Sequence, residues 1–309
     1  MTIQIFIEPK KTYSWREFKR EKEPYSISLD GFVSAPTKRE LKGPYANYDH
    51  HTGTDRISTR STSEQVYLEI NLGLFKTFRK DGIPTVNIYV NDVDEDVCLA
   101  IWLFKNHERV AGHGEPSINR LVWCEDKLDC TGGAYPLGDV SIRRQMAWIF
   151  EPYQKARFEK RLESMNSQEL VSIVESVCAR ITAYTLNNGE EIGLDGHFET
   201  VGGGPGWALV RETGTAARLA MYSSGVDAFG VVLNERESGV FDYVLGRRSV
   251  WIPFDLEGLF KVLNKSDKNI TKNNRWGGSN TIGGSPRETG SSFSPKELEK
   301  IVNGFMFGA

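Results

Sequence analysis

The first half of the chain alternates short β-rich segments with helical patterns, and this alternation constrains the fold more than any other feature. The segments TIQIFI, YSISL and TVNIYV favour strands. STSEQVYLEINLGLFKTFRK favours a helix, which begins with a capping box of Ser61 and Glu64. Its apolar residues repeat every four positions: Val66, Ile70, Leu74 and Phe78. VCLAIWLFKN follows TVNIYV as an apolar helix, so the order predicts a parallel α/β sheet.

A helical middle separates this half from the rest of the chain. RRQMAWIFEPYQKARFEKRLES and SQELVSIVESVCARITAYTL are helical patterns, with a break at Asn166 or Ser167. After NNGEE the pattern changes to short strands and glycine turns such as WALVRE, AFGVVLNE and FDYVLGRRSVWI. We therefore predict two domains, residues 1–165 and 166–309, joined by helices, with a cleft between them and a smaller α/β second domain. A final helix is predicted from its capping residues, Ser294, Pro295 and Glu297.

Composition limits the classes of function. The 309 residues include 39% hydrophobic residues, enough to bury real cores. A net charge of -3 argues against a protein that coats duplex DNA, whereas a small phosphate ligand needs only a local basic pocket. The four cysteines have no CxxC spacing, so we expect neither disulfides nor a zinc knuckle. No signal-peptide pattern or membrane-spanning apolar run is present, so we expect a cytoplasmic protein without a membrane partner.

Four acidic clusters lie in the first half of the chain. SLDG and VNDVDED directly follow predicted strands, YDHH follows the short run YANY, and EDKLD comes later. Ligands gather at the carboxyl ends of strands in open parallel sheets, so these clusters could converge on one site. Their ionisable residues are Asp30, Asp49, His50, His51, Asp92, Asp94, Asp96, Asp126 and Asp129.

Such a convergence of carboxylates predicts a metal ion. Several ionised carboxylates crowd together only when a cation offsets their repulsion. Oxygen ligands with one or two imidazoles suit Mn²⁺ or a similar first-row divalent ion, and suit Mg²⁺ less well. Two such ions about 3.5–4 Å apart would clamp a phosphoryl group and generate a hydroxide nucleophile.

Each cluster also has a structural interpretation. Asp94 or Asp96 could cap the helix that follows, and Asp30-Gly31 is a common turn dipeptide. The histidine pair could be a packed turn, and EDKLD a solvated one. VGGGPGW lacks the Lys-Ser/Thr of a P-loop, which favours a turn between strands. We expect two further histidines at the surface, His107 and His113.

Taken together, the clusters resemble the DHH phosphoesterase family, which is named for its Asp-His-His motif. In that family a strand-end aspartate precedes the triplet, here Asp30, and a Ser-Thr-led helix follows it, here RSTSEQVYLEI. IYVNDVDEDVCLAIWLF resembles the Asp-x-Asp metal motif of the family. That motif normally precedes the triplet and here follows it. Either the sheet is permuted, or VNDVDED is the later single-aspartate motif and the first motif is missing.

The second half resembles the DHH-associated C-terminal domain. ARLAMYSSGVDAFGVVLNERESGVFDYVLGRRS contains its Gly-Val-Asp-Ala strand and terminal Arg-Ser, and IGGSPRETGSSFSP resembles its Gly-Gly-His loop. A glycine-rich loop exposes backbone N–H groups, and an arginine adds a fork for phosphate. Serine stands where that loop usually has histidine, which weakens the substrate-side contact. The resemblance implies these substrate-binding residues: Gly283, Gly284, Ser285, Arg287 and Arg248.

The resemblance also implies roles within the first domain. The metal ligands would be Asp30, His50, Asp92, Asp94 and Asp129, with Asp126 as the second choice for the last position. Asp49 would orient the His50 ring, and His51 would face the phosphate together with Arg287. Asp96 would be a helix cap.

These roles imply a manganese-dependent phosphoesterase with a dinuclear site. Its partners would be phosphate-containing small molecules or short single-stranded nucleic acids, including cyclic or linear dinucleotides and polyphosphate. An oligomer is compatible with the sequence. One alternative is a catalytically weak relative that regulates by binding a nucleotide or a protein. Another is an α/β binding protein without a metal.

Overall fold

The chain divides into two compact units in the computed structural model, which describes residues 2–112, 114–236, 239–272 and 274–308. The first unit extends to Cys130 and resumes at Pro136–Gly193. The second comprises Thr131–Tyr135 and the described chain from Leu194 onward. His113, which the sequence predicts at the surface, lies outside the described residues.

The division falls later than the predicted boundary near residue 165, because the helix Ser167–Thr185 belongs to the first unit. The Ser167 hydroxyl, at the start of that helix, donates a hydrogen bond to the carbonyl of Ile7 at 2.9 Å. Its buried apolar face, which includes Ile173, Val177 and Ile181, supplies the packing that keeps it there. The helix therefore completes the first unit.

A predominantly parallel sheet forms the centre of the first unit. Its order is β1-β6-β2-β4-β3, and β5 pairs with β6 off this path. β1, β6, β2 and β4 are parallel neighbours, whereas β3 and β5 are antiparallel to their partners. The bounds are β1 Thr2–Ile7, β2 Ser26–Leu29, β3 Lys38–Glu40, β4 Tyr45–Tyr48, β5 Arg79–Lys80 and β6 Ile83–Val90. The predicted parallel sheet is confirmed.

The first unit also contains a set of helices. Their bounds are α1 Trp15–Glu21, α2 Arg56–Thr59, α3 Thr62–Asn71, α4 Leu74–Thr77, α5 Glu95–Lys105, α6 His107–Val110, α7 Pro116–Cys130, α8 Val140–Phe158 and α9 Ser167–Thr185, with a 3-10 turn at Leu162–Ser164. Every residue of α5 from Asp96 to Phe104 is buried, as its continuous apolar sequence predicts. The long helix predicted after Ser61 instead breaks at Gly73, whose φ of 103° is left-handed.

The second unit contains its own sheet, in the order β11-β12-β10-β9-β8-β7. The bounds are β7 Phe198–Gly204, β8 Trp207–Glu212, β9 Ala228–Glu235, β10 Phe241–Arg247, β11 Gly277–Gly278 and β12 Ile282–Gly284. The helices are α10 Ala217–Ser223, α11 Leu256–Ser266 and α12 Pro295–Phe307. The capping box of Ser294 and Glu297 is present at the start of α12, and VGGGPGW turns from β7 into β8 as predicted. Both units are therefore mixed α/β.

Two structural features bear on the composition of the chain. Cys98, Cys124, Cys130 and Cys178 are all free and buried, so no disulfide forms among them. In the portion of the chain that the structure covers, no helix combines the length and the apolar character needed to cross a bilayer.

Candidate metal centre

Parallel pairing of β2 and β4 places the strand-end aspartate beside the Asp-His-His triplet. Leu29, the last residue of β2, pairs with Tyr48, the last residue of β4. The backbone N–H of Asp30 then donates to the Tyr48 carbonyl at 2.9 Å. Asp30 has a left-handed φ of 46°, a conformation that aspartate tolerates better than most residues and that turns its side chain out of the strand. Asp30 and the triplet therefore start from the same edge of the sheet.

One carboxylate oxygen of Asp30 contacts both histidine rings. Its Oδ1 lies 3.3 Å from Nε2 of His50 and 2.9 Å from Nε2 of His51. The hydroxyl of Thr62, at the start of α3, donates a hydrogen bond to the same oxygen at 3.2 Å. Asp30 and His50 are buried, whereas the His51 side chain keeps 30% of its exposure. The sequence predicts that His50 binds the metal and that His51 faces the phosphate. In the structure both rings face Asp30 instead.

Asp129 and Arg56 lie on the other side of His50. The Oδ2 of Asp129 is 3.1 Å from His50 Nε2. Arg56, which is 6% exposed, donates from Nη2 to Asp129 Oδ1 at 2.7 Å, and the same nitrogen lies 3.4 Å from His50 Nε2. Sequence reasoning found Asp129 but missed Arg56, because an arginine beside a polar turn carries no signal of its deep burial.

Among the side chains that the structure describes, two groups could hold a metal ion. The ligand atoms of Asp30, His50 and His51 lie within 4.8 Å of one another, and so do those of His50, Asp129 and Cys130. Ligand atoms on an ion at about 2.0–2.2 Å lie roughly 3 Å apart, which matches the contacts of His50 with both aspartates. An ion held by aspartate and histidine at these positions is therefore compatible with the donor atoms.

Unsatisfied buried atoms also face this region. Among the described side chains, Oδ2 of Asp129, Oε2 of Glu125 and Nδ1 of His50 are buried without a hydrogen-bond partner. The short contact of Asp129 Oδ2 with His50 lacks hydrogen-bond geometry, so closeness alone does not satisfy that oxygen. Buried polar atoms are normally paired, and orphaned ones call for an explanation such as an ion.

The carboxylates of the centre are electrostatically crowded. Burial, and then the charge of Asp129, raises the pKa of Asp96 to about 7. Burial, and then the charge of Asp30, raises the pKa of Asp94 well above its ordinary value. Burial, and then the charge of Glu95, does the same to the pKa of Glu125. These groups resist ionisation together, and a divalent cation would relieve the repulsion.

Asp30 and His50 behave in the opposite way, as an ion pair. Burial raises the pKa of Asp30, but the charge of His51 and hydrogen bonds from both histidines leave that pKa well below its ordinary value. Burial lowers the pKa of His50, but the charge of Asp129, together with the hydrogen bond and charge of Asp30, leaves that pKa raised. Asp30 is therefore the ionised ligand in this cluster.

Asp49 does not orient the His50 ring, contrary to the prediction. Its Oδ1 accepts from the backbone N–H of His51 at 3.2 Å, and its Oδ2 accepts from that of Thr52 at 3.0 Å. Because Asp49 is fully buried, both bonds are shielded from water. Asp49 thus fixes the backbone turn that carries the two histidines.

The VNDVDED aspartates also differ from their predicted roles. Asp94 is the N-cap of α5 and accepts from the backbone N–H of Val97 at 2.9 Å. Asp92 is exposed, with its Oδ1 2.7 Å from the Val93 N–H. Neither belongs to the two candidate ligand groups. The sequence predicts that Asp96 caps its own helix, α5. In the structure Asp96 caps α3 instead, a contact between distant residues that no local sequence pattern indicates.

The EDKLD cluster is not a solvated turn but part of α7. Glu125 and Asp126 are each 2% exposed. Asp126 accepts from the backbone N–H of Ser61 at 2.9 Å and so anchors α3, which leaves Asp129 as the ligand candidate. The signal was available: Leu121, Glu125 and Asp129 follow at four-residue spacing on a helix face.

In the second unit the predicted glycine loop is a strand. Gly283 and Gly284 lie in β12, which pairs with β10 on one side and β11 on the other. A methyl group on Gly283 would come within 2.5 Å of the Gly277 carbonyl oxygen and of Phe260. These glycines therefore permit close packing and do not present free N–H groups to a ligand.

The other three predicted substrate-binding residues differ in their exposure to solvent. Ser285 is buried, and its hydroxyl accepts from the backbone N–H of Tyr243 at 2.9 Å. Arg287 has an exposed side chain, and its carbonyl accepts from Arg236 at 3.1 Å. Arg248 is also exposed and lies 3.2 Å from Asp227. Only the two arginines remain available for a ligand.

His107, predicted at the surface, is buried against the Phe75 ring.

Comparison of the chain with models of protein families, with curated proteins and with solved structures finds no match. The functional conclusion therefore comes from the site.

Proposed function

We propose that the protein is a divalent-metal-dependent phosphoesterase of the class that its Asp-His-His motif resembles. The observation that carries the proposal is the convergence of two histidine rings on one oxygen of Asp30, at 3.3 and 2.9 Å. Neutral imidazole and carboxylate together favour a first-row ion, and we assign Mn²⁺ as the cofactor. The substrate is a phosphodiester or phosphoanhydride in a nucleotide, a short oligonucleotide or a related molecule.

Asp30, His50 and His51 would hold the ion. When bound, it supplies a Lewis acid for the phosphoryl group and a source of hydroxide at neutral pH. The chain's own residues position these ligands. Thr62 donates to Asp30 and limits its rotation, and Asp49 holds the backbone of the triplet.

The partial exposure of His51 gives the centre a side open to a substrate, while His50 is fully enclosed. Arg56 lies 2.7 Å from the Asp129 carboxylate, beside His50. That carboxylate in turn favours a protonated His50 when no ion is bound. Metal binding should therefore release a proton from the centre, as expected for ligands that must be deprotonated.

For the second unit we propose a substrate-binding role carried by Arg248 and Arg287. Their exposed guanidinium groups offer planar forks that match phosphate. Arg236 stabilises the backbone around Arg287. It pairs with Asp242 at 2.6 Å and donates hydrogen bonds to the carbonyls of Arg287 and Glu288. Arg236 thereby supports the loop without offering its own charge.

Hydrolysis of a generic phosphodiester, such as bis(4-nitrophenyl) phosphate, and of short oligonucleotides in Mn²⁺ tests the proposal. We expect turnover by the wild type and its loss in Asp30→Asn and His50→Ala. The matched control is His197→Ala, because that side chain is 89% exposed in the second unit. A metal-loaded wild type that hydrolyses none of these substrates would contradict the proposal.

A second candidate, a nucleotide-binding regulator with weak or no catalysis, is favoured by one observation. Ser285 stands where the corresponding loop of the DHH-associated domain has histidine. Its hydroxyl already accepts a hydrogen bond from the Tyr243 N–H. The regulator predicts nucleotide binding that depends on Arg287 without turnover, whereas the enzyme predicts both. Calorimetry with nucleotides alongside the hydrolysis assay separates them.

A further inference from the structure

We propose that Arg56 takes the place of a second metal ion, so that the centre holds one divalent ion and one fixed guanidinium. This inference rests on the proposed metal site at Asp30, His50 and His51. It departs from the dinuclear centre that the sequence motifs imply.

The guanidinium lies within the second candidate ligand group. That group consists of His50, Asp129 and Cys130. Arg56 Nη2 is 2.7 Å from Asp129 Oδ1 and 3.4 Å from His50 Nε2. A cation bound by these ligands would therefore meet a positive charge at contact distance, and like charges repel strongly where water is excluded.

Arg56 cannot readily leave or lose its charge. It is 6% exposed and begins the short helix α2, whose N-cap Asp55 accepts from Ser58 N–H at 2.9 Å. An arginine guanidinium stays protonated in proteins, and here it lies 2.7 Å from the Asp129 carboxylate. The positive charge is permanent.

The two ligand groups also compete for the same atom. Both the Asp30 contact and the Asp129 contact of His50 use its Nε2. One imidazole nitrogen coordinates one ion, so filling the Asp30 group removes His50 from the other. What remains for a second ion is Asp129, already bound to Arg56, and Cys130, whose thiol contacts Asp126 at 3.4 Å.

The aspartates expected to bind a second ion are committed elsewhere. Asp94 caps α5 through Val97, and the exposed Asp92 lies against the N–H of Val93. The group left intact is one carboxylate with two imidazoles, a ligand set typical of sites that hold one ion with open positions.

Mn²⁺ stoichiometry by equilibrium dialysis, together with electron paramagnetic resonance, tests the inference. We expect the wild type to bind one Mn²⁺ per chain with the spectrum of an isolated ion. Arg56→Lys keeps the charge and should also bind one. Arg56→Gln releases Oδ1 of Asp129, whose Oδ2 already lacks a hydrogen-bond partner, and should bind two. The matched control is Arg60→Gln, which removes a 46% exposed arginine nearby and should bind one.

Two exchange-coupled ions in the wild type overturn the inference while leaving the metal site intact. A single ion in folded Arg56→Gln also overturns it, because Arg56 would then exclude nothing. If neither the wild type nor any variant binds an ion, the proposed function is contradicted, because it requires a bound metal. If Arg56→Gln does not fold, the wild type and Arg56→Lys still decide the stoichiometry.

Discussion

Asp96, in the first turn of α5, accepts a hydrogen bond from the backbone N–H of Thr62 at 2.7 Å and so caps the start of α3. Its other oxygen accepts from the N–H of Ser63 at 2.8 Å. The start of α5 is thereby hydrogen-bonded to the helix that follows the Asp-His-His triplet. Thr62 also donates a hydrogen bond to Asp30, so Asp96 is connected through Thr62 to the candidate metal centre.

We expect Asp96→Ala to destabilise the protein. The substitution leaves two buried N–H groups at a helix N-terminus without an acceptor, a loss of about 1–3 kcal/mol. Urea unfolding monitored by circular dichroism measures the difference. Glu108→Ala, an exposed acidic residue of α6, is the control and should change stability little. Equal stability of Asp96→Ala and the wild type would show that the cap is unimportant.

The metal-free protein should lose stability as pH rises from about 4 to about 7. Burial, and then the charge of Asp129, raises the pKa of Asp96 from 3.8 to about 7, so the folded state holds a proton in this window that the unfolded state releases. His50, whose pKa the Asp129 charge raises against the effect of burial, contributes in the same direction. Asp30, with a lowered pKa, loses its contribution only at much lower pH.

Unfolding by urea at several pH values, with and without saturating Mn²⁺, measures this dependence. Mn²⁺ should flatten the decline, because the cation favours the ionised carboxylates. A metal-free stability that is constant or rises over the same range would contradict the electrostatic account of the centre.

Sequence patterns predicted the parallel sheet and the position of Asp30 beside the triplet, because hydrophobic runs and strand ends are local features. They failed where a residue acts on a distant element. Asp96 and Asp126 each serve α3, and Arg56 reaches Asp129 on α7. Nothing in the neighbouring sequence of these residues records such contacts.

Gly283→Ala should destabilise the second unit more than Gly277→Ala. A methyl group at Gly283 would come within 2.5 Å of the Gly277 carbonyl oxygen and of Phe260, whereas one at Gly277 would meet nothing within 4 Å. Overpacking of this kind costs about 1–3 kcal/mol. Thermal unfolding of the two variants compares them directly, and equal melting temperatures would mean that β12 does not require the close approach.

The same strand shows why glycine patterns mislead. IGGSPRETG resembles a ligand loop because glycine permits exposed N–H groups, yet glycine also permits close packing of neighbouring strands. In β12 the second cause applies, and Ser285 is used by Tyr243. A sequence alone does not distinguish these two uses of glycine.

Mn²⁺ affinity of the wild type, His50→Ala and His197→Ala, measured by calorimetry on metal-free protein, tests the central claim most directly. His50 is fully buried between Asp30 and Asp129, and its loss should weaken binding by at least roughly tenfold. His197 is 89% exposed, and its loss should leave the affinity unchanged. Tight binding by the wild type and His197→Ala with weak binding by His50→Ala is the predicted result. Equal affinity in all three, or no binding by the wild type, would contradict a metal centre at Asp30, His50 and His51.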